Sequence, residues 1–390
     1  MAAYKVVRVL LFTLFVTTWF FAQVIPQHSP QAATAAPEKV PLEKVPLAVV
    51  STVQVPSLPM ESMALPVLCS PEGTIFIRLA TMAAGVQDTV SVSSDGKTVI
   101  RFDRMKINDV PRPVPLDVFL SGSDVYMLTD GQIPLGYETK WRSPIGEVES
   151  HQASTSRTFV THFQHDGTYA GSVLLDVPFK PLHLGIFEDG NFLITGADKK
   201  TDEPRLAIVS SSGQFMRFVE LKGDVHAQKE SDVSQKDKDQ DKSAMPHFAP
   251  DKNFGNSLID VVYTSQIVGD GSNLLLFRRS NSPVFSISSG GEVRAQKLKV
   301  QGGYSLENIK TTRDSWIAEF THGLRDGTGN EFATYAFDPY TGAPLRQYIY
   351  PRDLGFGLAC TDGVEFTFVM ADTESKSLKL LKLAPATRPN

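Results

Sequence analysis

Only two cysteines occur in 390 residues, Cys69 and Cys360. Neither belongs to the paired-cysteine spacing of a zinc site. Phosphate loops of the Gly-x-x-x-x-Gly-Lys-Ser/Thr form, nucleophile elbows and His-Glu-x-x-His are all missing, and with them the local signatures of common nucleotide, acyl-transfer and metalloprotease chemistry. Basic clusters are missing as well. At a net charge of −5 the chain has no electrostatic footprint for nucleic acid. No long stretch outside the N-terminus has helical periodicity, which leaves strand and turn as the material of the fold. The apolar runs are short. The longest, Val9 to Ala22, falls below the roughly 20 residues of a membrane span but suits the core of a secretory signal.

What is present is a repeat. In PLHLGIFEDGNFLITGADKKTDEPRLAIVSSSGQFMRFVEL, Pro181 to Leu221, four runs with period-two alternation are separated by turn residues. This is the pattern of one blade of a β-propeller, and such a blade buries both faces only against neighbours. The first turn recurs at Glu72-Gly73, Ser123-Asp124, Asp189-Gly190, Asp270-Gly271, Arg313-Asp314 and Asp362-Gly363, and the third at Gly96, Gly167, Gly213, Gly291 and Gly342. Tight hairpin turns require positive φ, which Gly, Asn and Asp tolerate. The blades span Pro66–Ile107, Leu116–Val177, Leu182–Leu221, Leu258–Val300, Leu306–Tyr350 and Gly357–Leu383. The last is one strand short. An isolated strand, PLAVVSTVQVP at Pro46–Pro56, is expected to complete it, because closure removes exposed sheet edges. The fold expected is all-β, a six-bladed propeller of four-stranded antiparallel blades with its ring closed by the N-terminal strand; five blades with a ragged sixth are the alternative.

The expected organisation is a signal peptide or retained anchor over 1–35, a Pro-rich linker over 36–46, the propeller over 47–385 and a tail over 386–390. Lys5 and Arg8 precede the apolar run, and Ala33-Thr34-Ala35 offers a cleavage site. Either form implies export to the periplasm or extracellular space, with membrane contact only through an uncleaved N-terminal segment. Within the propeller, residues 223–253 are rich in Lys, Asp, Gln and Ser and are expected to be disordered. The alternation Asp237, Asp239, Asp241 is no calcium loop, since Lys242 and Phe248 stand where Gly and Glu are required.

Cys69 and Cys360 fall on the innermost strands of blades one and six, neighbours in a closed ring. They are expected to form a disulfide there, the alternative being two buried thiols. His162 and His165 lie on one strand at a spacing that places them on opposite faces, so they read as structural. The insertion Ile133–Ser154 in blade two is expected to be a long loop, and its Tyr137, Trp141 and Arg142 suit a binding surface for a protein, peptide or glycan. Aligning the innermost strands on their first turns brings Asp117, His183 and Asn308, with the adjacent Glu307, to the mouth of the central channel. An oxygen-rich set of this kind suits a calcium or magnesium ion, or a polar ligand. No organic cofactor is expected.

The strings IFEDGNFLITGA, SPEGTIFIRLA and VSSDGKTVIRF resemble the blades of NHL-repeat and related six-bladed propellers, and FDPYTGAPLRQYIYP is similar to an Asp-x-x-Thr-Gly hairpin of secreted bacterial repeats. The resemblance covers Pro46 to Ala384 and implies architecture. The gluconolactonase-like (TolB-like) propellers, similar in blade number, imply a divalent metal at the channel mouth, for which Glu307 or Asn308 and Asp117 are the nearest matches. Two functions follow as expectations: a secreted non-catalytic binding propeller, or a metal-dependent hydrolase or lyase using Asp117, His183 and Glu307.

Overall fold

Backbone N–H and C=O groups of apolar alternating segments must be paired, and among the described residues the strands pair mainly in antiparallel ladders. The computed structural model describes residues 42–59, 63–80, 87–142, 148–221, 265–278, 283–300, 304–323, 330–351, 354, 357–372 and 377–386. The N-terminal signal or anchor, the start of the linker, the insertion 223–253 and residues 387–390 of the tail lie outside them.

The first strand, β1 (Glu43–Pro59), is followed by a sheet of β2 (Met63–Cys69), β3 (Ile75–Ala80), β4 (Gln87–Val92) and β5 (Val99–Phe102). A second sheet holds β6 (Pro113–Ser121), β7 (Asp124–Arg142), β8 (Val148–Phe163) and β9 (Tyr169–Leu174). The third holds β10 (Phe179–Ile186), β11 (Phe192–Asp198), β12 (Pro204–Val209) and β13 (Phe215–Phe218), and the fourth β14 (Ser265–Asp270), β15 (Asn273–Arg278), β16 (Val284–Ser288) and β17 (Val293–Gln296). The remaining strands are β18 (Ser305–Thr311), β19 (Trp316–Gly323), β20 (Asn330–Phe337), β21 (Pro344–Ile349), β22 (Leu358–Thr361), β23 (Phe366–Asp372) and β24 (Ser377–Pro385). They form one eight-stranded sheet in the order β18-β19-β20-β21-β1-β24-β23-β22. Its two halves are antiparallel and meet at β1, whose residues Glu43–Pro46 run parallel to β21 while Leu47–Pro59 run antiparallel to β24. Glu43–Pro46, expected as linker, are therefore strand. They pair what would otherwise be an open edge on β21.

The apolar clusters lie between neighbouring sheets and between the two halves of the eight-stranded sheet. Phe76 and Phe102 pack on Val125 and Phe163, Leu128 and Val160 on Leu193 and Ile194, Ile208 on Leu274 and Phe285, and Phe277 on Trp316 and Phe337. Ile317 and Ala336 meet Phe366 and Phe368, and Val55, Leu378 and Leu380 return to Val67, Ile75 and Ile77 of the first sheet. Each sheet is covered by the next around a common centre, which is the propeller arrangement. The disulfide Cys69–Cys360 joins β2 to β22 across the last of these seams, with Cα atoms 5.4 Å apart.

The recurring third-turn glycines have two reasons to be glycine. Gly213 has φ +84°, and a Cβ there would stand 2.1 Å from the carbonyl oxygen of Leu174, at the end of the previous sheet's outermost strand. Gly96 of the first sheet presses in the same way on Val53 and Gln54 of β1. β1 thus holds the position that β9 holds for the third sheet.

Two further features differ from expectation. The first turn of the second sheet is made by Gly122 (φ +60°) and Ser123, one residue earlier than expected. Ile133–Ser154 continues β7 and β8 as a two-stranded ribbon, paired from Val125 with Phe163 out to Arg142 with Val148 and shifted in register between Pro134 and Glu138. A free excursion of that length leaves its backbone groups unpaired, whereas a ribbon pairs them.

Replacing Gly213 by Ala is expected to cost about 2–4 kcal/mol, combining left-handed strain with overpacking, while Gly122→Ala, with nothing within 4 Å, costs only about 1–2 kcal/mol. Urea unfolding of the two variants separates the terms. Cys69→Ser with Cys360→Ser opens a loop of 291 residues and is expected to lower stability by about 4–5 kcal/mol, measured against wild type without reductant.

Candidate functional site

A cavity of about 960 Å³ lies at the centre, lined by residues of β2, β6, β10, β14, β18 and β22 together with the turns that follow most of them. The first strand of every four-strand group therefore faces it. Four of these strands carry the same irregularity. One extra residue interrupts the pairing at Leu116 in β6, Leu182 in β10, Glu307 in β18 and Ala359 in β22. A single inserted residue exchanges the two faces of the strand from that point on. The residues that follow the bulges are Asp117, His183, Asn308 and Cys360, and all four line the cavity.

Asp117 and His183 are brought together, with His183 Nδ1 3.4 Å from Asp117 Oδ2. The Leu184 N–H donates to the same oxygen at 3.1 Å. On the other side of the carboxylate stands Arg78 of β3, its Nη1 3.7 Å from Asp117 Oδ1 and its Nη2 donating to the Leu116 carbonyl at 3.3 Å. Arg78 Nε is buried without a hydrogen-bond partner, as is Gln266 Oε1 on β14. Burial lowers the guanidinium pKa, and Asp117 opposes that shift.

Asn308 looks elsewhere. Its amide donates to Glu319 Oε2 at 3.4 Å and to the Leu358 carbonyl at 3.3 Å, and the Leu358 N–H donates to Glu319 Oε1 at 3.4 Å. Lys310, two residues beyond Asn308, donates to the Val67 carbonyl on β2. Burial pushes the Glu319 carboxyl up and the Lys310 ammonium down, each resisted by the charge of the other. This network ties β18 and β19 to β22 and β2, beside the disulfide. Glu307 is itself a bulge residue and accepts from Thr321 Oγ at 2.6 Å.

The expected set for a divalent cation does not fit these positions. Asp117 already faces a guanidinium, Asn308 has given its amide to Glu319 and Leu358, and Glu307 is engaged by Thr321. Among the described residues no group of three or more His, Cys, Asp or Glu is placed to hold a metal ion. On the β7–β8 ribbon, Tyr137 is exposed, whereas only the backbones of Trp141 and Arg142 are described, paired with Glu149 and Val148. His162 Nε2 donates to Asp124 Oδ2 at 2.9 Å and the ring stacks on Tyr126 with ring centres 4.3 Å apart; the His165 backbone N–H donates to Asp124 Oδ1.

Arg78, Gln266, Lys310 and Glu319 were not among the expected site residues. For Arg78 and Glu319 the signal in the sequence is a charged residue inside an apolar strand, IFIRLA and WIAEF, since such side chains are buried only when paired; Gln266 and Lys310 carry no such signal.

The folded protein keeps a proton on Glu319 at pH values where the unfolded chain, titrating near 4.5, has released it. That contribution is complete below the unfolded value and is lost as pH rises through the folded one. Lys310 acts in the opposite direction at higher pH, where its folded form sheds a proton before the unfolded chain does. Glu319→Gln is therefore expected to remove a fall in stability that begins above about pH 4.5; equal pH slopes for variant and wild type in urea titrations would contradict this.

No family model matches the chain, and no curated protein matches it. Among solved structures it is similar to a protein of unknown function from Dyadobacter fermentans, at 8% identity and a TM-score of 0.44 over 87% of this chain and 99% of that one. It is also similar to virginiamycin B lyase from Staphylococcus aureus, at 10% identity and 0.37 over 87% and 100%. A third is YCF48 bound to a D1 peptide, at 9% and 0.36 over 86% and 95%. At these scores the similarity brings no activity, ligand or partner to this chain.

Proposed function

We propose that this chain is an exported six-bladed β-propeller that binds a protein, peptide or glycan partner at its central cavity and performs no covalent chemistry. The observation that carries the reading is the cavity itself. Its volume, about 960 Å³, is at the upper end of the roughly 300–1,000 Å³ of ligand sites, and the first strand of every four-strand group contributes to its wall. Counting the two halves of the eight-stranded sheet as blades gives six, with β1 as the outermost strand of the last. The polar groups at depth are engaged within the protein, Arg78 with Asp117, Lys310 with the Val67 carbonyl and Glu319 with Asn308 and Leu358, which suits recognition rather than turnover. The ribbon with Tyr137, Trp141 and Arg142 supplies a second contact for a macromolecular partner.

Export is supported by the basic and apolar N-terminal residues Lys5, Arg8 and Val9–Ala22, and by a disulfide on which the last seam relies, a bond that persists in oxidising compartments. The location proposed is periplasmic or extracellular, with any membrane contact made by a retained N-terminal segment.

Melting shifts of the full-length protein against arrays of short peptides and oligosaccharides test this. Ligands that stabilise the wild type, by about 2.7 kcal/mol at a hundredfold excess over Kd, are expected to lose their effect on Ser121→Trp, which fills the cavity beside the first turn of the second sheet. Shifts that survive Ser121→Trp, a shift specific to calcium, magnesium, zinc or manganese after chelation, or conversion of a bound ligand would each overturn the reading.

A further inference from the structure

The disulfide that crosses the last seam is also part of the cavity wall, for Cys69 and Cys360 both line the cavity. The two residues are not equally open. Cys360 is 8% exposed and belongs to the apolar cluster that includes Val67, Ala359 and Val369, whereas Cys69 is only half-buried and packs against that cluster. At about 960 Å³ the cavity admits molecules of metabolite size. A small molecule arriving through it meets the bond from the side of Cys69.

The strands that carry the cysteines are held in place by other means. Two residues before Cys69, the Val67 carbonyl accepts from Lys310 Nζ. Two residues before Cys360, the Leu358 carbonyl accepts from the Asn308 amide at 3.3 Å, and the Leu358 N–H donates to Glu319 Oε1 at 3.4 Å. These anchoring side chains come from β18 and β19, which bear no cysteine. Farther out, β1 pairs with β24 and β24 with β23. The other seams close with no covalent bond at all, since the chain has only two cysteines. A disulfide acts mainly on the unfolded chain, so opening this one lowers the stability of the folded ring without removing what sets its shape.

We propose that Cys69–Cys360 is a thiol-exchange site served by the cavity: small thiols reach it in the folded protein, attack at Cys69 and leave the ring closed. The thiolate of the entering molecule bonds to Cys69 Sγ as the bond to Cys360 breaks, and the electron pair leaves with Cys360 Sγ, which takes a proton from water. A second molecule of the thiol then attacks the sulfur of the first and frees Cys69 as a thiol. The protein disulfide has gained two electrons and two protons, and two small thiols have become one small disulfide. The apolar surroundings of Cys360 disfavour its thiolate, so the intermediate with the small molecule on Cys69 reverts unless Cys360 is trapped. The fully opened pair adds two thiols to the wall of the cavity. This chemistry needs no partner bound there.

The test follows opening of the bond in the oxidised full-length protein by dithiothreitol and by reduced glutathione, with released thiols trapped by N-ethylmaleimide at intervals and located by peptide mass mapping. Doubling the dithiothreitol concentration is expected to raise the rate about twofold. Urea at about 1 M, below the unfolding transition, should change it less than about twofold, whereas a route through global unfolding would be accelerated about fivefold or more. Glutathione is expected on Cys69, with the maleimide on Cys360. The reduced protein should keep the near-ultraviolet circular dichroism of the oxidised one while its urea midpoint falls. A rate that follows the urea dependence of unfolding, or one that does not respond to thiol concentration because opening of the fold limits it, overturns the proposal. So does glutathione on Cys360, or loss of the near-ultraviolet signal on reduction.

Discussion

The pairing of β1 with β24 is the constraint on which the remaining structure rests. Among the described residues every apolar cluster is shared between neighbouring four-strand groups, so no group covers itself. The seam between Val55, Leu378 and Leu380 on one side and Val67, Ile75 and Ile77 on the other exists only once β1 lies against β24. That same strand closes the free edge of β21 and receives the close approach of Gly96. The disulfide then fixes the inner side of a seam whose outer side is held by backbone pairing, so the two ends of the ring are joined at both radii.

Turn chemistry was the most legible part of the sequence, because it is local. A third-turn residue with positive φ has one easy solution, glycine, and Gly96, Gly167, Gly213, Gly291 and Gly342 mark it without any knowledge of tertiary structure; all but Gly291 also approach a neighbouring carbonyl. The position of β1 was legible for a different reason: a strand without a blade and a blade without a strand imply each other. The ribbon at Ile133–Ser154 was not legible as strand, since Pro134 and Gly136 interrupt its alternation and read as loop.

The site was legible only in part, and the bulges explain which part. Aligning innermost strands on their first turns found Asp117, His183 and Asn308, because a bulge interrupts β6, β10 and β18 a similar four or five residues before the strand ends at Ser121, Ile186 and Thr311; in β22 the bulge at Ala359 lies only two residues from the end at Thr361, and Cys360 was not found that way. Glu307 could not be separated from Asn308 by counting, since a single unpaired residue decides which of them faces the cavity. Arg78 and Glu319 come from second strands and escaped a search confined to first ones. Their roles follow from burial: an arginine and a glutamate in apolar strands must find opposite charges, and the sequence does not say which.

The hydrogen bond from Ser377 to Gln54 joins residues 323 positions apart. At roughly 5–20 residues per second, a ribosome needs about 16–65 s to supply the partner of a strand it has already made. For that interval β1 is an uncommitted edge, and the first sheet has one face uncovered. Closure of this ring is therefore an event of the finished chain rather than of the growing one. Until β24 is made, the N-terminal strand has no antiparallel partner to pair with.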